Sequence, residues 1–146
     1  MQNRATARHR EYARRLLAEE AAVVKNSRVG TSAAFHVCEK LRGGLIPILG
    51  IGGFRALLGR ALVMAAKEVR WLNAVRVQPD GSLTGLGEVE AQLSHEEITN
   101  GETILVAHLL GLLVTFVGEA LTLRLVRNVW PEVSFGDAES GTGEKS

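Results

Sequence analysis

The stretch that most constrains this chain is ETILVAHLLGLLVTFVGEALTLRLVRN, residues 102–128. Its central part, 103–118, has no residue with a formal charge at neutral pH. Such an apolar run must be hidden from water on most sides, because its exposure would forfeit the free energy of hydrophobic burial. We therefore predict one long helix over 102–128 that forms the core, with the other segments packed around it.

A membrane-spanning helix is the alternative explanation of the same run. A span needs about 20 predominantly apolar residues, whereas 103–118 includes His108 and Thr115 and is bracketed by Glu102 and Glu119. We expect a buried core helix and no membrane span, with a short interfacial contact as the remaining membrane alternative. The basic start of the chain has no apolar segment of its own, so a cytoplasmic protein is expected.

The remaining sequence predicts a mainly α fold, a single-domain helical bundle over 1–135. Good helix formers and an apolar stripe predict a basic N-terminal helix over 3–25. A second helix is expected over 32–42 and a third over 53–72. Between them, the segment GGLIPILGIGGF (43–54) is too rich in glycine for a regular helix and too apolar for a solvated linker. We expect it to form a buried bend.

Two local patterns predict structure outside the long helices. Alternating valines followed by Pro79-Asp80-Gly81 predict a small β-hairpin over 73–86. A lone hairpin needs support from the helices or from another subunit. The spacing of Ser94 and Glu97 fits a capping box at a helix start. The small, acidic segment 136–146 is expected to be a disordered tail.

Charge is distributed unevenly along the chain. Residues 1–76 contain 14 Lys/Arg and 5 Asp/Glu, and residues 77–146 contain 3 and 11, so balances of +9 and −8 give the net +1. The two halves are expected to neutralise each other within the fold or between subunits. Alternatively, the basic half binds an acidic partner such as nucleic acid. That partner would contact arginines of the first helix: Arg4, Arg8, Arg10, Arg14 and Arg15.

One polar seam on the long helix is the best candidate for a site. A helical wheel places His108, Thr115, Glu119 and Thr122 on one face. His108 and Glu119 are too far apart on one helix to touch, since 11 residues span about 16 Å. Glu68 projects into the apolar face of its own helix and is the obvious partner for His108. The weak catalytic candidates are therefore Glu68, His108 and Glu119, although we favour a polar packing interface as the explanation of the seam.

An anion site is a weaker hypothesis. Gly52 and Gly53 precede a helix that contains Arg55 and Arg60, and free amides beside arginine can bind phosphate or carboxylate. The sequence has no P-loop and no complete dinucleotide fingerprint. The spacing of His36 and Cys38 suits no metal pair on a helix. No metal and no cofactor are expected, and the single cysteine is predicted to be a buried apolar residue.

These patterns favour a non-enzymatic, self-associating adaptor or regulatory protein of bacterial type, most simply a dimer. The first alternative is an anion-binding or small-molecule-binding domain, enzymatic or not, with a pocket near Arg55, Glu68 and His108. The second is a protein that binds nucleic acid through its basic N-terminal half. The sequence resembles no family that we can identify.

Overall fold

Five α-helices, a short 3-10 helix and one short β-hairpin make up the described part of the chain, as the mainly α prediction requires. The structure is a computed structural model and describes residues 6–25 and 32–133. The expected tail at 136–146 and positions 3–5 of the expected first helix lie outside these ranges. The helices are α1 (Ala7–Lys25), α2 (Ala33–Glu68), α3 (Leu86–Glu90), α4 (His95–Val117) and α5 (Glu119–Val129). A 3-10 helix, Arg70–Ala74, and the strands β1 (Arg76–Val77) and β2 (Leu83–Thr84) lie between α2 and α3.

Helix α4 is the core of the bundle. Every residue from 101 to 110 is buried, with α1 and α2 packed against it. The helix begins with the predicted capping box, in which the Ser94 hydroxyl accepts from the backbone N–H of Glu97 and the Glu97 carboxylate accepts from that of Ser94. The prediction of a buried core helix is therefore confirmed for this part of the chain.

The single helix predicted over 102–128 is wrong at Gly118. This glycine adopts φ 93° and ψ 156°, a conformation that other residues rarely adopt, and it separates α4 from α5. Leu110 on α4 and Val126 on α5 line the same small cavity, so the chain reverses direction at this glycine. The run that looks continuous in the sequence forms a helical hairpin.

Helix α2 contains a second reversal at Gly50, which has φ 79° and ψ 164°. In a straight helix, Arg42 and Phe54 would lie about 18 Å apart. Instead, one atom of each side chain lies 3.2 Å from the position that a Cβ added to Gly81 would occupy, so the two side chains are close together. The helices predicted over 32–42 and 53–72 therefore extend to this one residue, and the second ends at Glu68. Segment 43–54 is helical on both sides of Gly50, and it is partly exposed where a buried bend was expected.

The β-hairpin supports the bend of α2. Arg42 and Arg55, one on each side of Gly50, donate to the carbonyl oxygens of Asp80 and Pro79 at 3.2 and 3.4 Å. The hairpin turn is thus held between the two halves of α2. The predicted hairpin is confirmed, and its support comes from within the same chain.

A buried carboxylate ties both ends of the described chain to the bundle. Glu20 of α1 is 1% exposed, accepts from the indole N–H of Trp130 at 2.8 Å and pairs with the Lys40 ammonium at 2.5 Å. It thereby joins α1, α2 and the residue that follows α5. Burial of a carboxylate is tolerated here because a cation and a hydrogen-bond donor reach it.

Candidate functional site at the apolar end

The two helical turns, at Gly50 and Gly118, lie at the same end of the molecule. Glu102 of α4 hydrogen-bonds the backbone N–H of Ala34 at the start of α2. From that point both helices run 16 residues, about 24 Å, to their glycine turns. A Cβ added to Gly44 of α2 would lie 2.6 Å from a Leu125 methyl carbon of α5, so the two helices are in close contact near the turns.

Large apolar side chains are exposed at this end. Among the described residues, four large apolar side chains are exposed, and three of them lie within two residues of a glycine turn. These are Ile48 and Ile51 beside Gly50, at 48% and 47%, and Phe116 beside Gly118, at 64%. We call these three side chains, with the two turns, the apolar end. The fourth, Val63, lies farther along α2.

The backbone of the apolar end is also open. A Cβ added to Gly50, Gly52 or Gly118 would have no close neighbour within the described chain. Pro47 beside them is exposed as well. The sequence from Gly43 to Phe54 contains no charged residue. The apolar end is therefore an apolar surface that the rest of the described fold leaves uncovered.

Arginines border the apolar end. Arg55 lies five residues after Gly50, Arg124 lies six residues after Gly118, and both are exposed. The acid next to the second turn, Glu119, forms an ion pair with Arg8 of α1. This pair joins the basic and acidic halves of the chain, as the uneven charge distribution predicts. Each of the two helical turns of the apolar end is therefore followed by one exposed arginine.

His108 and Glu68 meet in the bundle, as the sequence suggested. His108 Nε2 lies 2.6 Å from Glu68 Oε2, and the His108 side chain is 3% exposed. Glu68 is 19% exposed, so the pair sits at the edge of the core between α2 and α4. This contact explains why a carboxylate occupies the apolar face of α2. The buried imidazole leaves a dissolved substrate little access.

Two members of the predicted seam, Glu119 and Thr122, lie on α5 and do not continue the face of α4 that carries His108 and Thr115. The Thr115 hydroxyl donates to the Gly111 carbonyl and is exposed, and the buried Thr122 hydroxyl donates to the Gly118 carbonyl. Glu119 belongs to α5 and pairs with Arg8 at the surface. The helical wheel is wrong for Glu119 and Thr122, because it assumed a helix that continues through Gly118, and the seam is therefore not one continuous face.

The residues proposed for an anion pocket are spread along α2. Gly52 and Gly53 lie in the first turn after Gly50, and Gly52 and Arg60 are exposed. Arg55 and Glu68 are 13 residues apart, about 20 Å along a helix. One pocket therefore does not contain Arg55 together with the Glu68–His108 pair.

A different concave surface lies between α1 and the start of α4. Its volume is about 320 Å³, and its lining is mostly polar: Arg10, Arg14, His95, Glu96, Thr99, Asn100 and Thr103. The guanidinium groups of Arg10 and Arg14 line this cleft together with several uncharged hydrogen-bonding side chains and one acid, Glu96. Sequence reasoning placed Arg10 and Arg14 on a nucleic-acid surface and did not associate them with α4.

The structure also brings together two carboxyl groups, those of Glu90 and Glu102, that were not predicted to meet. Glu90, at the end of α3, hydrogen-bonds Glu102 of α4. Burial and the nearby Glu102 raise the pKa of Glu90 to about 9. Burial also raises the pKa of Glu102, although hydrogen bonds from Ser32 and the Ala34 N–H oppose that shift. The pair therefore holds a proton at neutral pH, and only tertiary contact brings the two acids together.

Two further observations bear on the class of protein. Helices α2 and α4 are each long and apolar enough to cross a membrane by length and composition, which the buried core helix of a soluble protein also satisfies. Within residues 6–25 and 32–133, no group of three or more His, Cys, Asp or Glu residues is placed to hold a metal ion.

Comparisons with protein-family models, curated proteins and solved structures found no match.

Proposed function

We propose that this protein is a non-enzymatic adaptor that docks peripherally on a membrane by inserting its apolar end into the bilayer interface. The observation that carries the proposal is the exposure of Ile48, Ile51 and Phe116 at two adjacent glycine turns. Burial of these side chains in lipid would recover the hydrophobic free energy that the fold leaves unused.

The size of the apolar end favours a bilayer over a second copy of the chain. A stable protein interface buries roughly 800 Å² on each partner. Three partly exposed side chains at two narrow turns offer much less apolar area. A bilayer requires no complementary shape, and interfacial elements insert only about 5–10 Å.

The shape of the two apolar helices favours interfacial docking over a span. Helix α2 reverses at Gly50, so neither half provides the roughly 20 apolar residues that a span requires. Most of the apolar window of α4 is buried inside the protein. A non-enzymatic role is supported by the burial of His108, whose partner Glu68 holds α2 against α4.

Vesicle flotation tests the proposal. Wild-type protein should float with lipid vesicles, and a variant combining Ile51→Asp with Phe116→Asp should remain in the soluble fraction. Both positions are exposed, so the fold should tolerate the changes. Val63→Asp is the matched control, because Val63 is 59% exposed but lies away from the turns. Thermal unfolding should confirm that all variants are folded.

Two results would overturn this function. One is wild-type protein that stays soluble with every vesicle. The other is a Val63→Asp control that loses flotation as fully as the double variant does. Light scattering after size-exclusion chromatography tests the self-association expected from the sequence. A dimer that the double variant dissociates would assign the apolar end to a second copy of the chain.

The cleft between α1 and α4 supports a second candidate function, the binding of a small anion. Arg10 and Arg14 lie one helical turn apart and face His95 across the cleft. Phosphate or a phosphorylated metabolite should raise the melting temperature if it binds the folded protein. Arg14→Gln should abolish that increase, whereas Arg60→Gln should preserve it. Binding of nucleic acid has less support, since Arg8 pairs with Glu119 and Arg15 pairs with Glu11.

A further inference from the structure

We infer that the apolar end prefers membranes with anionic lipids, and that Arg55 and Arg124 bind the headgroups. This inference rests on the membrane docking proposed above and identifies the lipid class. Its basis is the juxtaposition of two helical turns that carry exposed apolar side chains with one exposed arginine behind each of them.

The distances of the two arginines from the glycine turns match the depth to which interfacial elements insert. Arg55 lies five residues from Gly50, about 7.5 Å along the helix, and Arg124 lies six residues from Gly118, about 9 Å. Interfacial elements bury their apolar face about 5–10 Å deep. With the Ile51 side chain in the acyl region and the Arg8–Glu119 ion pair beside Gly118 held at the interface, both guanidinium groups would therefore reach the layer of lipid phosphates.

The acids at this end leave the arginines available. Glu119 is paired with Arg8. Asp80 lies beside Arg42 and accepts from the backbone N–H and hydroxyl of Ser82, and these hydrogen bonds lower its pKa. Arg55 donates one N–H to Pro79, and a guanidinium has five donors in all. Arg55 can thus keep its contact with the hairpin and still bind a phosphate oxygen.

The position of the cations excludes a deeper insertion. Moving Arg55, Arg124 or the Arg8–Glu119 ion pair beside Gly118 into the hydrocarbon is unfavourable, because charged groups lose their hydration there. These charged side chains therefore limit the depth, and the two arginines add attraction to a negative surface. Anionic lipids are typical of the cytoplasmic leaflet, which agrees with the predicted cytoplasmic location.

Vesicle flotation with two lipid compositions tests the inference. Wild-type protein is mixed with phosphatidylcholine vesicles and with vesicles in which a third of the lipid is phosphatidylserine. Stronger binding to the anionic vesicles is expected. The double variant Arg55→Gln with Arg124→Gln should lose about 25-fold in affinity for these vesicles, or roughly fivefold per arginine. Its affinity for neutral vesicles should remain that of the wild type.

The matched control is the double variant Arg70→Gln with Arg76→Gln, which removes the same charge. Both arginines are exposed, and Arg70 adjoins Trp71, which contacts Gly101 about 25 Å from Gly118 along α4. The control should retain most of the preference for anionic lipid. Equal losses in both double variants, or equal wild-type binding to both vesicle types, would overturn the inference and leave membrane docking intact. Failure to bind either vesicle type would refute the docking itself.

Insertion depth supplies a second measurement. Ile51→Trp places an indole at the first turn, and lipids brominated near the glycerol backbone should quench its fluorescence more than lipids brominated near the chain end. Stronger quenching from the chain end would contradict the depth set by Arg55. The wild-type protein corrects for quenching of the native Trp71 and Trp130, and the Val63→Trp variant shows the quenching of an exposed indole away from the turns.

Discussion

His108 of α4 and Glu68 of α2 lie 40 positions apart in the chain and meet at 2.6 Å. The contact locks the second half of α2 against the core helix. Because the imidazole is almost fully buried, the loss of its partner leaves a polar group unsatisfied in the interior.

Replacing Glu68 should therefore destabilise the protein. We expect Glu68→Ala to lower the free energy of unfolding by about 2–3 kcal/mol, less than for a fully buried ion pair because Glu68 is partly exposed. Lys67→Ala, the exposed neighbour, should change it by less than about 0.5 kcal/mol. Urea denaturation measures both values. Equal effects of the two substitutions would show that the contact contributes nothing specific.

The glycine turns should tolerate no side chain, even though they have open space. Gly118→Ala should cost about 1–3 kcal/mol, because alanine rarely adopts φ 93° with ψ 156°. Gly59→Ala is the control, since Gly59 is helical, its added Cβ would also meet open space, and alanine favours a helix by about 1 kcal/mol. Thermal and urea denaturation should show opposite signs for the two variants. A stabilising Gly118→Ala would mean that α4 and α5 can form one continuous helix.

The carboxyl pair predicts a loss of stability at alkaline pH. The folded-state pKa of Glu90, about 9, lies above its unfolded value, so the folded protein holds the proton more tightly. The resulting stabilisation is complete below the unfolded pKa. It declines as pH rises towards about 9 and is lost above that value.

Urea midpoints measured between about pH 5 and pH 9 check this dependence. Glu90→Gln keeps a hydrogen-bonding group without the charge, so it should flatten the decline and raise the midpoint at the alkaline end. Glu88→Gln, an exposed change on the same short helix, should leave the decline as in the wild type. A parallel pH profile for wild type and Glu90→Gln would refute the shared proton.

Cys38 should be unreactive in the folded protein. Its thiol is buried, and burial raises its pKa to about 12, so very little thiolate forms near neutral pH. A maleimide or disulfide reagent should label the native protein slowly at about pH 8 and the urea-unfolded protein fully. Val63→Cys supplies an exposed thiol as the positive control. Rapid labelling of native Cys38 would reveal frequent opening of α2.

Several elements could be predicted from the sequence because their causes are local. The Ser94–Glu97 capping box depends on residues three positions apart, and the hairpin depends on the turn at Pro79-Asp80-Gly81. The buried part of α4 follows from a long run without charge. Glu68 could be recognised as needing a partner because it interrupts the apolar face of its helix. In each case, neighbouring residues contain enough information.

The glycines of the long apolar run show what the sequence leaves open. Gly101 packs under Trp71, Gly111 lies beside His9, and Gly118 takes a positive φ and ends the helix. All three look alike in the sequence, because glycine is compatible with a helix and with a turn. Tertiary packing alone selects the turn at Gly118, and this choice separates the members of the seam.

The sequence by itself determined a mainly α fold, a capped and buried core helix, and two apolar segments interrupted by glycine. The tertiary structure decided that Gly50 and Gly118 reverse the chain at the same end and leave Ile48, Ile51 and Phe116 exposed. The physical reason is that an apolar pattern states a preference for burial but not the surface that provides it. That surface depends on which helices run side by side, and here the turn within α2 and the turn between α4 and α5 lie at the same end.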